Sequence, residues 1–255
     1  MKLRIIADEN IPFAREAFEP LGTLTLVKGR ERPPVENADA LIVRSVTKVT
    51  PDLLDGSPVR FVGTATIGMD HIDTGYLHDS GIGFASAPGS NAESVAEYVT
   101  AALLVHARDK GITLAGKSIA VIGVGNVGSR VVNKCRALGM TVLKNDPPLA
   151  EKTGDSSFLK LDDVIGADFV TFHVPLTREG RWPTWHMAGP ELLGEMKGVL
   201  INTSRGSVVD GTALENALGN TGKRCDLRCL GERASCQPQS GVQGQRHSPH
   251  SGIQL

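Results

Sequence analysis

Ser118-Ile119-Ala120-Val121-Ile122-Gly123-Val124-Gly125-Asn126-Val127-Gly128 opens as an apolar run, breaks into glycines spaced G-x-G-x-x-G, and continues into 129–138, where Val131, Val132 and Leu138 can pack a helix. A strand running through such a loop into a helix is a nucleotide-binding crossover. Gly123 permits the tight turn, Gly125 lets the backbone approach a pyrophosphate, and Gly128 allows helix and strand to pack closely. Free amides at the helix start, with Asn126 and Val127 in its first turn, then face the phosphates. The next apolar run ends at Asp146, where a carboxylate would accept hydrogen bonds from a ribose diol and repel a 2′-phosphate, so NAD is expected rather than NADP. Read alone, the glycines could serve a tight turn and Asp146 a cap; strand, helix and acid together favour the cofactor.

Working outward, apolar runs at 3–7, 40–43, 61–66, 119–123, 141–143, 168–173 and 198–203 alternate with helix-like stretches. This predicts parallel sheets with crossover helices. Between Glu93 and Ala107, apolar residues at Val95, Tyr98, Val99, Ala102 and Leu103 recur at roughly helical spacing with His106 on the same face, and the crossing between domains is expected there. The expected architecture is a doubly wound parallel (Rossmann) domain over 96–222 beside a smaller flavodoxin-like α/β domain over 1–95 that holds substrate but is incomplete. The segment 223–255 has neither strand nor helix period and reads as disordered.

The 255 residues, 40% hydrophobic, suffice for two cores and a cleft between them. Lys plus Arg number 27 against 28 Asp plus Glu, so there is no global field to attract nucleic acid or an anionic membrane. The opening MKLRIIADEN is too short an apolar run for a signal segment, and no stretch reaches membrane-spanning length, so a cytoplasmic location is expected. Cys225 and Cys229, with His247 and His250, could be read as a zinc set, but their flanks lack an apolar pattern and no metal is expected.

GVGNVG at 123–128, FHVPLT at 172–177 and LINTSRGSVVD at 200–210 resemble the D-isomer-specific 2-hydroxyacid dehydrogenases. IADEN at 6–10, VRSVTKV at 43–49, GTATIGMDHID at 63–73 and APGSNA at 87–92 narrow the resemblance to the branch acting on 4-phosphoerythronate, and it runs from Met1 to about Gly222. The resemblance implies hydride transfer from C2 of 4-phospho-D-erythronate to NAD, in the cytoplasmic pathway to pyridoxal phosphate. It assigns Arg205 to catalysis, its planar fork suited to a substrate carboxylate. Ser45 and Thr66 are implied to contact substrate, and Thr203 and Ser204 to lie beside the cofactor. It also implies a homodimer whose dimerisation region is absent from this sequence. His71, His78, His106, His173 and His186 stand outside the family's catalytic place; His106 reads as a core residue and His173 as a loop-orienting one. Another D-2-hydroxyacid dehydrogenase, or a non-catalytic NAD-binding module, remain as alternatives.

The family continues through Asp-Val-Trp-Glu-x-Glu-Pro and Thr-Pro-His-Ile-Ala-Gly-Tyr segments, which supply its catalytic glutamate and histidine, and neither occurs here. Back-translated as CGA TGT CTG GGA GAG CGA GCC AGC and read one nucleotide later, Arg228–Ser235 becomes Asp-Val-Trp-Glu-Ser-Glu-Pro. Arg246–Gln254, treated identically as CGT CAC TCC CCA CAT AGC GGG ATA CAG, becomes Val-Thr-Pro-His-Ile-Ala-Gly-Tyr. Codon freedom at Arg, Leu and Ser inflates the agreement, yet both motifs emerge in one frame and in order. An out-of-frame tail over 223–255, with impaired activity, is the expectation.

Overall fold

Nine strands form among the residues described by the computed structural model, 2–66 and 68–220. They are β1 (Leu3–Asp8), β2 (Gly22–Val27), β3 (Ala40–Val43), β4 (Phe61–Thr64), β5 (Gly83–Ser86), β6 (Ser118–Ile122), β7 (Thr141–Asn145), β8 (Phe169–Phe172) and β9 (Val199–Asn202). The first five make one sheet in the order β2-β1-β3-β4-β5 and the last four another in the order β7-β6-β8-β9; every pairing is parallel. β3 and β8 are buried at every position, because helices cover both faces of central parallel strands and continuous apolar runs result. In each sheet the order reverses beside the first strand, and the crevice at the carboxyl ends there is where this topology places ligands.

The helix Ala92–Lys110 follows the first sheet, starting beyond Asn91 and ending at Gly111, whose φ of 64° no side-chain-bearing residue adopts readily. Ala92, Ala96, Val99, Leu103 and Ala107 recur every third or fourth residue and are buried. Ala96, Val99, Leu103 and Ala107 join Ile119, Val121, Val131, Val132, Cys135 and Phe169 in the core of the second sheet. Glu93 ties this helix to the helix Asn126–Ala137 by ion pairs to Arg130 at 3.2 Å and Lys134 at 2.6 Å. His106 is buried in the same core, its ring edge-on to Phe169.

The structure departs from the sequence reading at the edges. β2 and β5 were not expected: GTLTLV and GFAS are not continuous apolar runs, and as edge strands they bury one side only. The run expected at 61–66 ends at Thr64, and that at 119–123 ends at Ile122, where Gly123 turns to a φ of 84°. β8 and β9 are likewise shorter than 168–173 and 198–203. Asp168 lies just outside β8, its carboxylate accepting from the Ser118 amide and hydroxyl at 2.8 Å. β7 is longer than 141–143, since Lys144 and Asn145 pair with Val121 and Ile122. No helix among the described residues is long and apolar enough to cross a membrane. The tail 223–255 and its cysteines and histidines lie outside the described residues.

Candidate active site

The glycine loop is held from behind and open in front. Gly123 donates its amide to the Asn145 carbonyl at 2.8 Å, and a Cβ there would sit 2.7 Å from the His173 carbonyl oxygen. A Cβ on Gly128 would collide with the Gly123 carbonyl, so this glycine brings helix against loop. Gly125, one residue before the helix starting at Asn126, is different: a Cβ there meets nothing within 4 Å and projects into open space. The first-turn amides of any helix lack partners within it, and here Asn126, Val127 and Gly128 supply them. Asp146 does two jobs at once. One carboxylate oxygen accepts from the Val124 amide at 2.8 Å and fastens the loop; the other accepts from the Leu149 amide at 3.0 Å and caps the helix Pro147–Thr153. A carboxylate offers about four lone-pair positions, so capacity for a ribose hydroxyl remains.

These residues border a cavity of about 900 Å³ at the carboxyl ends of β6, β7 and β8. Gly123, Gly125, Asp146, Val174, Trp182 and Met187 are among the residues that line it. The loop bearing Trp182 is braced where Thr184 donates to the Pro175 carbonyl at 2.5 Å, and is tied across by an Arg181–Glu151 ion pair at 2.8 Å. The volume, the open face at Gly125 and the unpartnered first-turn amides fit a dinucleotide. Sequence reasoning missed Trp182, Pro147 and Glu151 as lining residues, because only the return of the loop after β8 brings them together.

His173, directly after β8, is clamped at both ring nitrogens: Nε2 to the Thr171 hydroxyl at 3.0 Å and Nδ1 to the Thr203 hydroxyl at 2.7 Å. Burial pushes its pKa down from 6.5 to about 3, so the ring stays neutral and ties the end of β8 to the turn after β9. Ser204 completes that tie, its hydroxyl accepting from the Val174 amide at 2.8 Å. Below its unfolded pKa the histidine takes a proton only when the chain unfolds, so stability is present above about pH 6.5 and lost as pH falls toward 3. Between pH 7 and 5, where carboxylates contribute little, unfolding free energy is expected to fall with a slope approaching ~1.4 kcal/mol per pH unit. Urea titrations measure it, and His173→Gln should flatten most of the slope; an equally steep fall in that variant would locate the effect elsewhere.

The remaining candidates gather where the first sheet faces this turn. Val43 pairs with Thr64, so Ser45 and Thr66 leave adjacent strands two residues further on. The Thr66 hydroxyl is 2.9 Å from that of Thr64, which in turn reaches His71 Nε2 at 3.1 Å. Thr66 also donates to the Gly68 carbonyl at 3.4 Å. Arg205 arrives from the other sheet. The side chain of Asn202 holds the turn that carries it, donating to the Arg205 carbonyl at 3.0 Å and accepting from the Ser204 amide at 2.9 Å. The Arg205 guanidinium packs on Gly68 and bonds Asp70 Oδ1 through Nε at 3.1 Å and Nη2 at 2.9 Å. Burial pushes the Asp70 pKa up, but Arg205 outweighs it and holds the carboxyl below its ordinary value. His71 is shifted down, chiefly by burial. Arg205, Thr66 and Gly68 are thus adjacent; Ser45 shares the strand-end rim, and Asp70 and Gly68 were not singled out from sequence although they lie within the GTATIGMDHID stretch. Among the described residues no cluster of three or more His, Cys, Asp or Glu could hold a metal.

A glycine loop running into a helix, with an acid at the next strand end, around a cavity at the strand carboxyl ends is the form of a dinucleotide-binding domain. Residues 91–224 match the D-isomer specific 2-hydroxyacid dehydrogenase, NAD binding domain, and the chain belongs to that family. Within it, the chain is 46% identical over 230 residues to an erythronate-4-phosphate dehydrogenase of Escherichia coli, covering 88% of this chain and 61% of that relative. The erythronate-4-phosphate dehydrogenase of Shigella boydii matches to the same extent. This chain therefore spans less than two thirds of the length of the curated relatives it matches. Among solved structures, D-lactate dehydrogenase from Aquifex aeolicus, complexed with NAD and lactic acid, is 31% identical with a TM-score of 0.71, covering 88% of this chain and 75% of that one. The NAD+-bound 3-phosphoglycerate dehydrogenase of Entamoeba histolytica, 24% identical over 93% of this chain and 82% of its own with a TM-score of 0.75, shares the fold. NAD is the cofactor of the family domain that this chain carries.

Proposed function

We propose that this chain is the cofactor-binding and arginine-bearing part of an NAD-dependent dehydrogenase that oxidises 4-phospho-D-erythronate at C2 to the 2-oxo acid, a step toward pyridoxal phosphate. The observation that supports it most is Arg205, carried on the turn after β9 of the NAD-binding sheet yet seated against Gly68 and Asp70, beyond β4 of the other. NAD, when bound along the glycine loop, would supply the hydride acceptor for C2. Arg205 grips the substrate carboxylate and stabilises charge at the C2 oxygen, where a fixed cation in a partly dry cleft acts strongly. Ser45 and Thr66 hold substrate oxygens by hydroxyl hydrogen bonds. Gly123, Gly125, Asn126, Val127 and Gly128 cradle the pyrophosphate, Asp146 holds the ribose, and Thr203 and Ser204 flank the cofactor. The functional units are 1–95 for substrate and 96–222 for cofactor, and the assembled enzyme is a cytoplasmic homodimer.

The segment 223–255 is read as out of frame; in support, the family match ends at residue 224. Sequencing the coding DNA from the Asn216 codon onward tests this, and a tail upheld as written would favour a non-catalytic NAD-binding module. Substrate identity is tested by initial rates of NADH formation. 4-Phospho-D-erythronate should exceed D-lactate, D-glycerate and 3-phospho-D-glycerate in kcat/KM by at least about tenfold, since polar sites reject analogues that leave their groups unpaired. A preference for D-lactate would move the protein to a different branch of the family.

A further inference from the structure

Arg205 makes its two short contacts to Asp70 through one edge of the guanidinium. Nε and Nη2 both point at Oδ1, at 3.1 and 2.9 Å, with Oδ2 a longer 3.4 Å from Nε. A guanidinium has five N–H donors, so a carboxylate on the Nε/Nη2 edge leaves the opposite Nη1/Nη2 end free for a second, bidentate carboxylate. Gly68 lies so close to Nη2 that any Cβ there would collide with it, so the absence of a side chain at this position makes room for the guanidinium. The pair is partly shielded, with side-chain exposures of 29% for Arg205 and 36% for Asp70, and so is less screened than a surface pair. An unanchored arginine carries rotamer entropy that a substrate would otherwise have to overcome on binding.

We propose that Asp70 is a positioning residue for Arg205: it takes the side-on edge of the guanidinium, fixes it against Gly68, and presents the end-on edge to the carboxylate of the 2-hydroxy or 2-oxo acid. The substrate half of this assignment rests on the function proposed above; the anchoring half does not. Because the two residues belong to different sheets, the same contact registers one domain against the other before substrate arrives. Asp70 is an anchor beside the carboxylate site, not its competitor.

Arginine Nε–Hε NMR signals of the NADH-loaded full chain, assigned with Arg205→Lys, read the anchor directly. The Arg205 signal should be slow to exchange in the parent, collapse toward those of free arginines in Asp70→Ala, and be partly restored in Asp70→Asn, whose Oδ1 remains an acceptor. Gly68→Ala, with Asp70 intact, should displace the signal as well. Oxalate then probes the open edge: it should bind the parent while the Nε signal persists, and bind Asp70→Ala about tenfold or more weakly. An unchanged Nε signal in Asp70→Ala, or oxalate binding as tight there as in the parent, overturns the assignment. Failure of oxalate to bind the parent counts against the 2-hydroxyacid reading instead, and the Nε comparison still decides the anchor.

Discussion

Reading the codons after Gly222 one base later is expected to raise turnover of 4-phospho-D-erythronate by ~10²–10⁴-fold over the chain as written, the usual contribution of a general acid/base. Oxidation at C2 removes a hydride from carbon and a proton from the hydroxyl, and that proton needs an acceptor. Arg205 cannot be it, because a guanidinium has no acceptor and stays charged. The histidines among the described residues are committed elsewhere. His173 has both nitrogens in hydrogen bonds and a pKa near 3. His71 turns Nε2 to Thr64, and its Nδ1 is buried without a partner, out of a substrate's reach. His106 packs edge-on to Phe169, His186 stacks on Trp185 beside Asp210, and His78 sits exposed beside Asp79. The shifted frame supplies a histidine and a glutamate in the order the family uses. NADH formation by the two chains measures the effect, and replacing the histidine of the restored Thr-Pro-His segment by asparagine should return the rate to the lower level. Equal rates from both chains would refute the out-of-frame reading.

What could be read from sequence was what depends on neighbours along the chain. The β6 strand, the glycine loop and the helix after it are contiguous, and each glycine has a local reason to be there; a cavity borders that loop. Central strands were legible because burial on both faces leaves uninterrupted apolar runs, whereas β2 and β5, half-exposed at sheet edges, left only an alternating or glycine-broken trace. Asp146 was legible as an acid at a strand end, but its hold on the Val124 amide depends on how β7 lies against β6. Asp70 was hidden for a stronger reason. Its partner is 135 positions away, on a different sheet, and nothing local distinguishes it from a turn aspartate. The Thr203 contact of His173 was hidden likewise, since it crosses from the end of β8 to the turn after β9, whereas Thr171 lies only two residues back along the same strand.

Substituting alanine at Gly125 and at Gly128 should separate two roles that the G-x-G-x-x-G pattern merges. At Gly128 the added methyl meets the Gly123 carbonyl oxygen, its carbon at 2.9 Å and Val121 Cγ1 at 3.4 Å; two of these atoms are backbone and cannot swing aside. Helix and loop must part, an overpacking cost of ~1–3 kcal/mol, visible as a lower urea midpoint. The first-turn amides move with the helix, so NADH affinity should fall by about 10- to 100-fold, the same range of free energy expressed as a dissociation constant. At Gly125 nothing lies within 4 Å of the new methyl, so the urea midpoint should barely change. The methyl nevertheless stands where the pyrophosphate must approach the backbone, and affinity should drop by a comparable factor. Fluorescence titration with NADH, paired with urea unfolding of the same samples, distinguishes the two. If Gly125→Ala bound NADH as tightly as the parent, the phosphates would not lie against that amide, and the cavity beside Asp146 would need another occupant.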